Sequence, residues 1–172
     1  VDGWSGAGKS TFARGLAARL DAPCISTDDL VVGWDGLAGS IGLLVTCILA
    51  PLSVGEPARW NRFDWERLAP GPDVTCLSAP IVVVEGCAIG TAWPRSYLSY
   101  LIWIDTPAPE RRRRLENRRD WPAYEPHVDH WADQERALRK GVGTIDHADL
   151  VVHGALADSF LAELEEGRSD AG

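Results

Sequence analysis

Gly3-Trp4-Ser5-Gly6-Ala7-Gly8-Lys9-Ser10 opens the chain and fits the pattern G-x-x-x-x-G-K-[ST], with Thr11 following. Each fixed residue type has a physical task. The glycines allow a tight turn that aims N–H groups inward at phosphate oxygens. Lys9 supplies a mobile cation for β- and γ-phosphates, and the Ser10 hydroxyl can coordinate Mg²⁺. A helix beginning at about Lys9 would present its positive dipole end to the same anion. Phe12, Leu16 and Leu20 recur every four residues beside Ala13 and Ala17, which predicts an amphipathic helix. Gly3, Ser5, Gly6, Ala7, Gly8, Lys9, Ser10 and Thr11 are therefore the candidate nucleotide contacts, with Lys9 expected to be exposed until phosphate binds. The chain has 15 Arg and only two Lys, Lys9 and Lys140, so one of its rare lysines stands at this position. Only Val1 and Asp2 precede the loop, where a strand of about five residues is expected. A few residues of that strand are expected ahead of Val1.

The 172 residues fit one domain with a sizeable core. An apolar fraction of 45% and a charged fraction of 24% are ordinary for a globular chain. The formal charge of −8 argues against non-specific binding to nucleic acid or anionic membrane. Cys24, Cys47, Cys76 and Cys87 form no C-x-x-C pair and read as reduced core thiols of a cytoplasmic protein. The apolar run Ile41–Leu52 is too short to span a bilayer.

Along the chain, Ala22–Thr27 reads as a short buried strand ending at Asp28-Asp29. The C-terminal ends of parallel strands carry the ligand site in α/β folds, so these carboxylates point towards the phosphate loop, one for chemistry and one as a helix cap. Asp35 and the apolar series Leu37, Ile41, Leu44, Ile48, Leu52 predict a capped helix. Residues 53–78 are rich in Pro, Gly and charge. Within them Arg59-Trp60-Asn61-Arg62-Phe63-Asp64-Trp65 suits either an acceptor pocket or a loop pinned to the core by its aromatics. Pro80–Gly86 is a buried strand with Glu85 at its end, placed to orient Mg²⁺ or its waters. Leu101–Asp105 is a further strand. Thr106-Pro107 predicts a helix start with Thr as N-cap and Pro at the first turn. That helix carries Arg111–Arg114 and then Arg118-Arg119-Asp120. It reads as a solvated basic face from which one or two arginines, with Arg114 and Arg118 the candidates, cross the phosphates as a lid. Residues 122–140 read as a helix, with His127 and His130 as surface or structural histidines. Ala148–Val152 is the last strand. Strands and helices alternate, which implies an α/β sandwich with a mostly parallel sheet.

In these residues the chain resembles the P-loop nucleoside and nucleotide kinases, most closely the uridine kinase-like proteins. Five motifs in order carry the resemblance: the loop with Ser10-Thr11, Ser26-Thr27-Asp28-Asp29, Phe63-Asp64-Trp65, Val84-Glu85-Gly86, and the Arg-rich stretch ending Arg118-Arg119-Asp120. The chain departs from that family at Leu30 and Val31, where an aromatic pair is usual, and in having no His after Phe63-Asp64-Trp65. The resemblance implies a three-layer fold with a five-stranded parallel sheet of order 2-3-1-4-5 flanked by helices. A kinase domain would span residues 1–155, with a lid at about 108–122, and residues 156–172 would form a helix and acidic tail. It also implies ATP as donor with Mg²⁺, and phosphorylation of a hydroxyl on a nucleoside. Lys9, Asp28, Arg114 and Arg118 would be catalytic, with Asp28 the base. Ser10 and Glu85 would serve the metal. Asp28, Arg59, Arg62, Phe63, Asp64 and Glu85 would meet the acceptor. A sugar, polyol or antibiotic hydroxyl is the alternative acceptor, and a non-catalytic ATP-binding regulator the alternative role. A switch GTPase is excluded, because its N-K-x-D motif needs a lysine that is absent.

Overall fold

A computed structural model describes residues 1–141 and 143–155. The expected tail 156–172 lies outside the described residues. Two parallel strand pairs form the centre. β1 (Cys24–Ser26) pairs with β4 (Val83–Glu85), and β5 (Ile102–Asp105) pairs with β6 (Leu150–His153). Val1 and Asp2 run between the two pairs. Val1 N donates to Val84 O at 2.6 Å, Gly86 N to Val1 O at 3.1 Å, Asp2 N to Ile102 O at 2.8 Å and Ile104 N to Asp2 O at 2.9 Å. The hydrogen bonding thus runs through the segment that feeds the phosphate loop, although only an isolated bridge, Asp2 to Trp103, forms there.

α1 (Lys9–Leu20) begins where its motif places it. Its buried face is Phe12, Ala13 and Ala17, which pack on Val83, Ile102 and Ile104. Leu20 is exposed, so the buried stripe is narrower than the four-residue spacing suggested. Beyond β1, a 3₁₀ turn (Thr27–Leu30) leads to a helix in three parts: α2 (Leu37–Leu43), a π segment (Leu44–Leu49) and α3 (Ala50–Ser53). Gly36, not Asp35, stands at the N-cap, and no side chain caps this helix. Asp35 instead meets His130 Nε2 at 2.7 Å.

The stretch left between loop and pocket in the sequence is an antiparallel hairpin, β2 (Ala58–Asp64) and β3 (Ala69–Cys76). Its tip is closed by the Asp64 carboxylate, which accepts the Glu66 and Arg67 N–H groups at 3.0 Å. An Asp at that position builds a turn from its own side chain. Ala58, Trp60 and Phe63 are the buried positions of β2, and Ala58 and Trp60 pack against the π segment. After α4 (Ala92–Arg95) and β5, α5 (Ala108–Glu116) starts one residue later than expected, with Pro107 at the N-cap. Thr106 does not cap it; its hydroxyl donates to Ala7 O at 2.9 Å. α6 (Trp121–Tyr124), a 3₁₀ turn and α7 (Val128–Arg139) complete the described helices. Leu115, Tyr124 and Trp131 join Val31, Leu37 and Cys87 in a third core that ties α5, α6 and α7 to the segment after β1 and to Cys87. Among the described residues no helix is long and apolar enough to cross a membrane.

Candidate active site

The loop residues Gly3–Ser10 turn from the central segment into α1. Gly6 has φ +78°, and a Cβ there would sit 2.5 Å from the Arg111 carbonyl oxygen, so the loop touches α5 backbone to backbone. Only glycine tolerates both that conformation and that approach. α5 also covers the loop with side chains. Arg111 donates to Ser5 O at 3.3 Å, and Arg114 donates to Ala7 O at 2.9 Å and Gly154 O at 3.2 Å. Arg114 and Arg113 also bind Glu110, and these hydrogen bonds, that of Arg113 first, hold the Glu110 carboxyl down to about 2.

Lys9 is not exposed. It is 8% accessible, and its Nζ donates to Trp4 O at 3.1 Å and to Cys87 Sγ at 3.4 Å. The turn that cradles phosphate also folds the lysine back over its own carbonyls. Burial alone would lower the Lys9 pKa, but its neighbours, the Cys87 thiolate once it forms at high pH and the Glu135, Glu85 and Asp28 carboxylates, raise it above the usual lysine value. Lys9 is therefore a fixed cation. Burial pushes the Cys87 thiol up to about 12, so it faces Lys9 as a neutral group. Cys87 alone of the four cysteines is fully buried. Cys47 and Cys76 are partly buried and pack against the second core, whereas Cys24 is exposed, which corrects its reading as a core thiol; all four are free.

The ends of β1 and β4 bring the carboxylates together. Ser26 lies opposite Glu85 in the parallel register. Gly86 follows, and any Cβ there would overlap Thr27 Oγ1 at 1.7 Å. This close passage brings Asp28 and Glu85 near enough for their charges to interact. Asp28 reaches solvent, and among the described residues its carboxylate has no hydrogen-bond donor. The protein packed round it and the Glu85 carboxylate raise its pKa; Lys9 and Arg118 act in the opposite direction. Asp29 is different. Its Oδ2 accepts Trp60 Nε1 at 3.3 Å and Arg62 Nε at 3.0 Å, so it anchors the hairpin. Trp60 and Arg62 both reach Asp29, the strand alternation being broken by an irregularity between Asn61 and Phe63, whereas Arg59 meets Thr75 across the hairpin. The structure therefore brings Arg62 to the site and leaves Arg59 outside it. Phe63 stacks edge-on with Trp65 at 5.2 Å, and Trp65 Nε1 donates to the Asp28 carbonyl at 3.1 Å.

A cavity of about 500 Å³ lies between α1, β1 and the hairpin, lined by Ser10, Arg14, Ser26, Asp29, Arg62 and Glu85 among others. Glu85 is only 4% accessible, and among the described residues its carboxylate has no hydrogen-bond donor. An unpaired buried carboxylate is costly, which marks it as a group awaiting a cation or donor. Among the described residues no cluster of three or more His, Cys, Asp or Glu could hold a metal unaided. A Ser hydroxyl and one carboxylate at a shared cavity suit Mg²⁺, which keeps waters and takes its other ligands from phosphate. Arg118 pairs with Asp120 at 2.6 Å, lies over the Tyr124 ring at 5.9 Å, and is half-exposed within electrostatic reach of Asp28.

Two groups of residues escaped the sequence reading. Asp2, fully buried, accepts Gly3 N, Ala88 N, Gly90 N and Arg139 Nη2 at 2.6–3.0 Å. Trp131, Glu135 and Arg139 of α7 all reach the loop. A signal was available: Glu135 falls on the apolar stripe with Val128, Trp131 and Leu138, a face from which charge is normally absent.

No family model matches the sequence. The shikimate kinase of Corynebacterium glutamicum is 30% identical over 125 residues, which span 72% of this chain and 66% of that protein. The structure of a possible uridine kinase from Bacillus stearothermophilus superposes with a TM-score of 0.61 over 87% of this chain and 84% of that one, at 18% identity. The second likeness carries the fold, and the first carries sequence kinship through the same loop-led architecture. Both likenesses are to P-loop kinases, and the second shows that this chain has their fold.

Proposed function

We propose that the chain is an ATP-dependent phosphotransferase that passes the γ-phosphoryl group to a hydroxyl of a nucleoside-like small molecule. One observation carries the reading. The loop's buried lysine stands near a cavity that holds a hydroxyl, Ser10, and a free buried carboxylate, Glu85, with Asp28 unpaired at its strand end. On this reading Gly3–Thr11 bind the phosphates, and the positive charge of Lys9 sits at the β- and γ-phosphates throughout the reaction. Ser10 and Glu85 would hold Mg²⁺, which when bound offsets charge on the phosphates. Asp28 orients the acceptor hydroxyl and takes its proton, and its raised pKa suits that task. Arg118 swings from Asp120 towards the transferring group. Arg114 acts nearer the loop, through Ala7. Arg62 and Phe63 contact the acceptor. We further infer that the two strand pairs are parts of one sheet of order 2-3-1-4-5, joined through the Val1–Asp2 hydrogen bonds.

A second acceptor class has support in the cavity itself. Arg14 and Arg62 line it, which suits a carboxylate-bearing polyol such as the shikimate that names the C. glutamicum relative. The experiment is ATP consumption with a panel of nucleosides, sugars, amino alcohols and shikimate. Turnover with a nucleoside supports the first reading, and turnover with shikimate alone replaces it. Tight ATP binding with no turnover on any acceptor would favour a regulatory ATP-binding protein.

A further inference from the structure

Helix α7 makes contacts that neither the loop motif nor the lid accounts for. Trp131, Glu135 and Arg139 recur every four residues and so share one face. Each grips the front half of the phosphate loop. Trp131 Nε1 donates to Ser5 Oγ at 3.0 Å, and Ser5 N donates to Glu135 Oε1 at 2.9 Å. Arg139 Nη2 donates to Gly3 O at 3.1 Å and to Asp2 Oδ1 at 2.8 Å, while its guanidinium lies 4.5 Å from the Trp4 ring centre. Glu135 is 1% accessible. Its ionic partner Arg139 stands 3.6 Å away and is engaged more closely by Asp2. Lys9 adds a second nearby positive charge, yet a buried ion pair is a poor device for stability, and an apolar residue would fill the site at lower cost. What Glu135 does that an apolar residue cannot is accept the N–H of a loop residue.

We propose that Glu135 is a positioning residue for the phosphate loop. By holding the Ser5 N–H it sets the peptide plane at the front of the loop, and with it the direction of the following N–H groups, before any phosphate arrives. A loop already ordered needs no reorganisation on binding. This role rests on the phosphate-binding reading of the loop. α7 follows directly on the lid segment, so it also ties the loop to the element expected to move over it.

The test compares the full chain with Glu135→Ala and Glu135→Gln. Affinities for ATP and for inorganic tripolyphosphate are measured well below every Tm, and amide hydrogen exchange of the loop is followed without ligand. Loss of one hydrogen bond of about 1.4 kcal/mol corresponds to about tenfold weaker binding. Glu135→Ala should bind both ligands about that much more weakly and exchange its loop amides faster. Glu135→Gln keeps the acceptor oxygen and should restore both. A Glu135→Ala variant with parental affinity and parental loop exchange overturns the proposal, and so does a Gln variant that rescues neither. If the parent itself binds no polyphosphate, the phosphate-loop reading fails. The exchange data, taken without ligand, still decide whether Glu135 orders the loop.

Discussion

The phosphate loop and the hairpin Ala58–Cys76 border the same cavity, yet they are held in opposite ways. The loop is fixed through its backbone. The Ser5 N–H and the carbonyls of Gly3, Ser5 and Ala7 are each taken by a side chain from α5, α7 or Thr106, about a hundred or more residues away in sequence. The hairpin is fixed by side chains. Asp29 holds Trp60 and Arg62, the Trp60 ring joins a core, the Phe63 ring packs on Trp65, and Arg59, Arg62 and Arg67 stay open to solvent. Backbone groups are the same in every sequence, so a loop gripped through them serves a constant ligand. Side chains on a hairpin can be exchanged without disturbing the sheet beneath, so on the proposed function the hairpin is the part that would set the acceptor.

The sharpest way to break this contrast is at Lys9. Lys9→Ala should lower phosphoryl transfer by about a thousandfold, the upper scale for a group stabilising charge in the transition state. It should also lower Tm, since Glu135, Glu85 and Asp28 lose a shared buried cation. Transfer within tenfold of the parent would remove the loop from the donor site. Gly6→Ala probes the backbone side of the contrast. With φ +78° and the Arg111 carbonyl at 2.5 Å, the added methyl has no room, and ATP binding measured by calorimetry should be lost.

Asp28 and Asp29 come next. Asp28→Asn should reduce transfer by at least about a hundredfold, the scale of a positioned base, with ATP affinity kept. Asp29→Asn should leave turnover within about tenfold of the parent, because its partners are the hairpin's Trp60 and Arg62. If Asp29→Asn is the dead variant, the two roles are exchanged. The pH dependence carries a sign. The folded-state pKa of Asp28 is raised, so the native protein binds that proton more tightly than the unfolded chain does. The charged carboxylate therefore costs stability as pH rises through this range. Asp28→Asn should show a higher Tm than the parent at neutral pH, with the difference vanishing below the ordinary Asp pKa. The acid limb of kcat/KM should lie above that of an ordinary carboxylate and disappear in the variant. A Tm unchanged at pH 7 would mean that Asp28 is well solvated.

The smallest effects should separate arginines by what they touch. Arg118→Ala should lower kcat by about tenfold with the KM for ATP spared, whereas Arg114→Ala should raise the KM for ATP through the loop carbonyl that it holds. Arg62→Ala should raise the acceptor KM, and Arg59→Ala, at the residue that meets Thr75 across the hairpin, should change neither KM. An Arg59 effect as large as that of Arg62 would show that the acceptor lies outside the hairpin's inner face.

The phosphate loop, α1, the strand ending at Glu85 and the alternation of strands with helices are all legible in the chain itself. Their signals are local: a fixed spacing of small and basic residues, a 3.6-residue period, a run of β-branched residues. A Pro- and Gly-rich composition hid the hairpin, because the pairing that makes it a sheet joins residues more than ten apart, Ala58 with Cys76 and Arg59 with Thr75. Thr106 and Asp35 carry the local signature of helix caps, but each found a tertiary partner, Ala7 and His130, that a cap rule does not anticipate. Lys9 was legible as a candidate phosphate contact and not as a buried ion, since burial depends on what packs above it.

What the sequence by itself determined is the phosphate loop, its helix and the carboxylates at the strand ends, because those depend on backbone geometry that nearby residues dictate. Only the tertiary structure decided which carboxylate is free, which arginine reaches the cavity, and that Asp2, Glu135 and Arg139 brace the loop. Those outcomes turn on hydrogen bonds spanning up to 137 residues, and no local rule selects among the many charged side chains that could have made them.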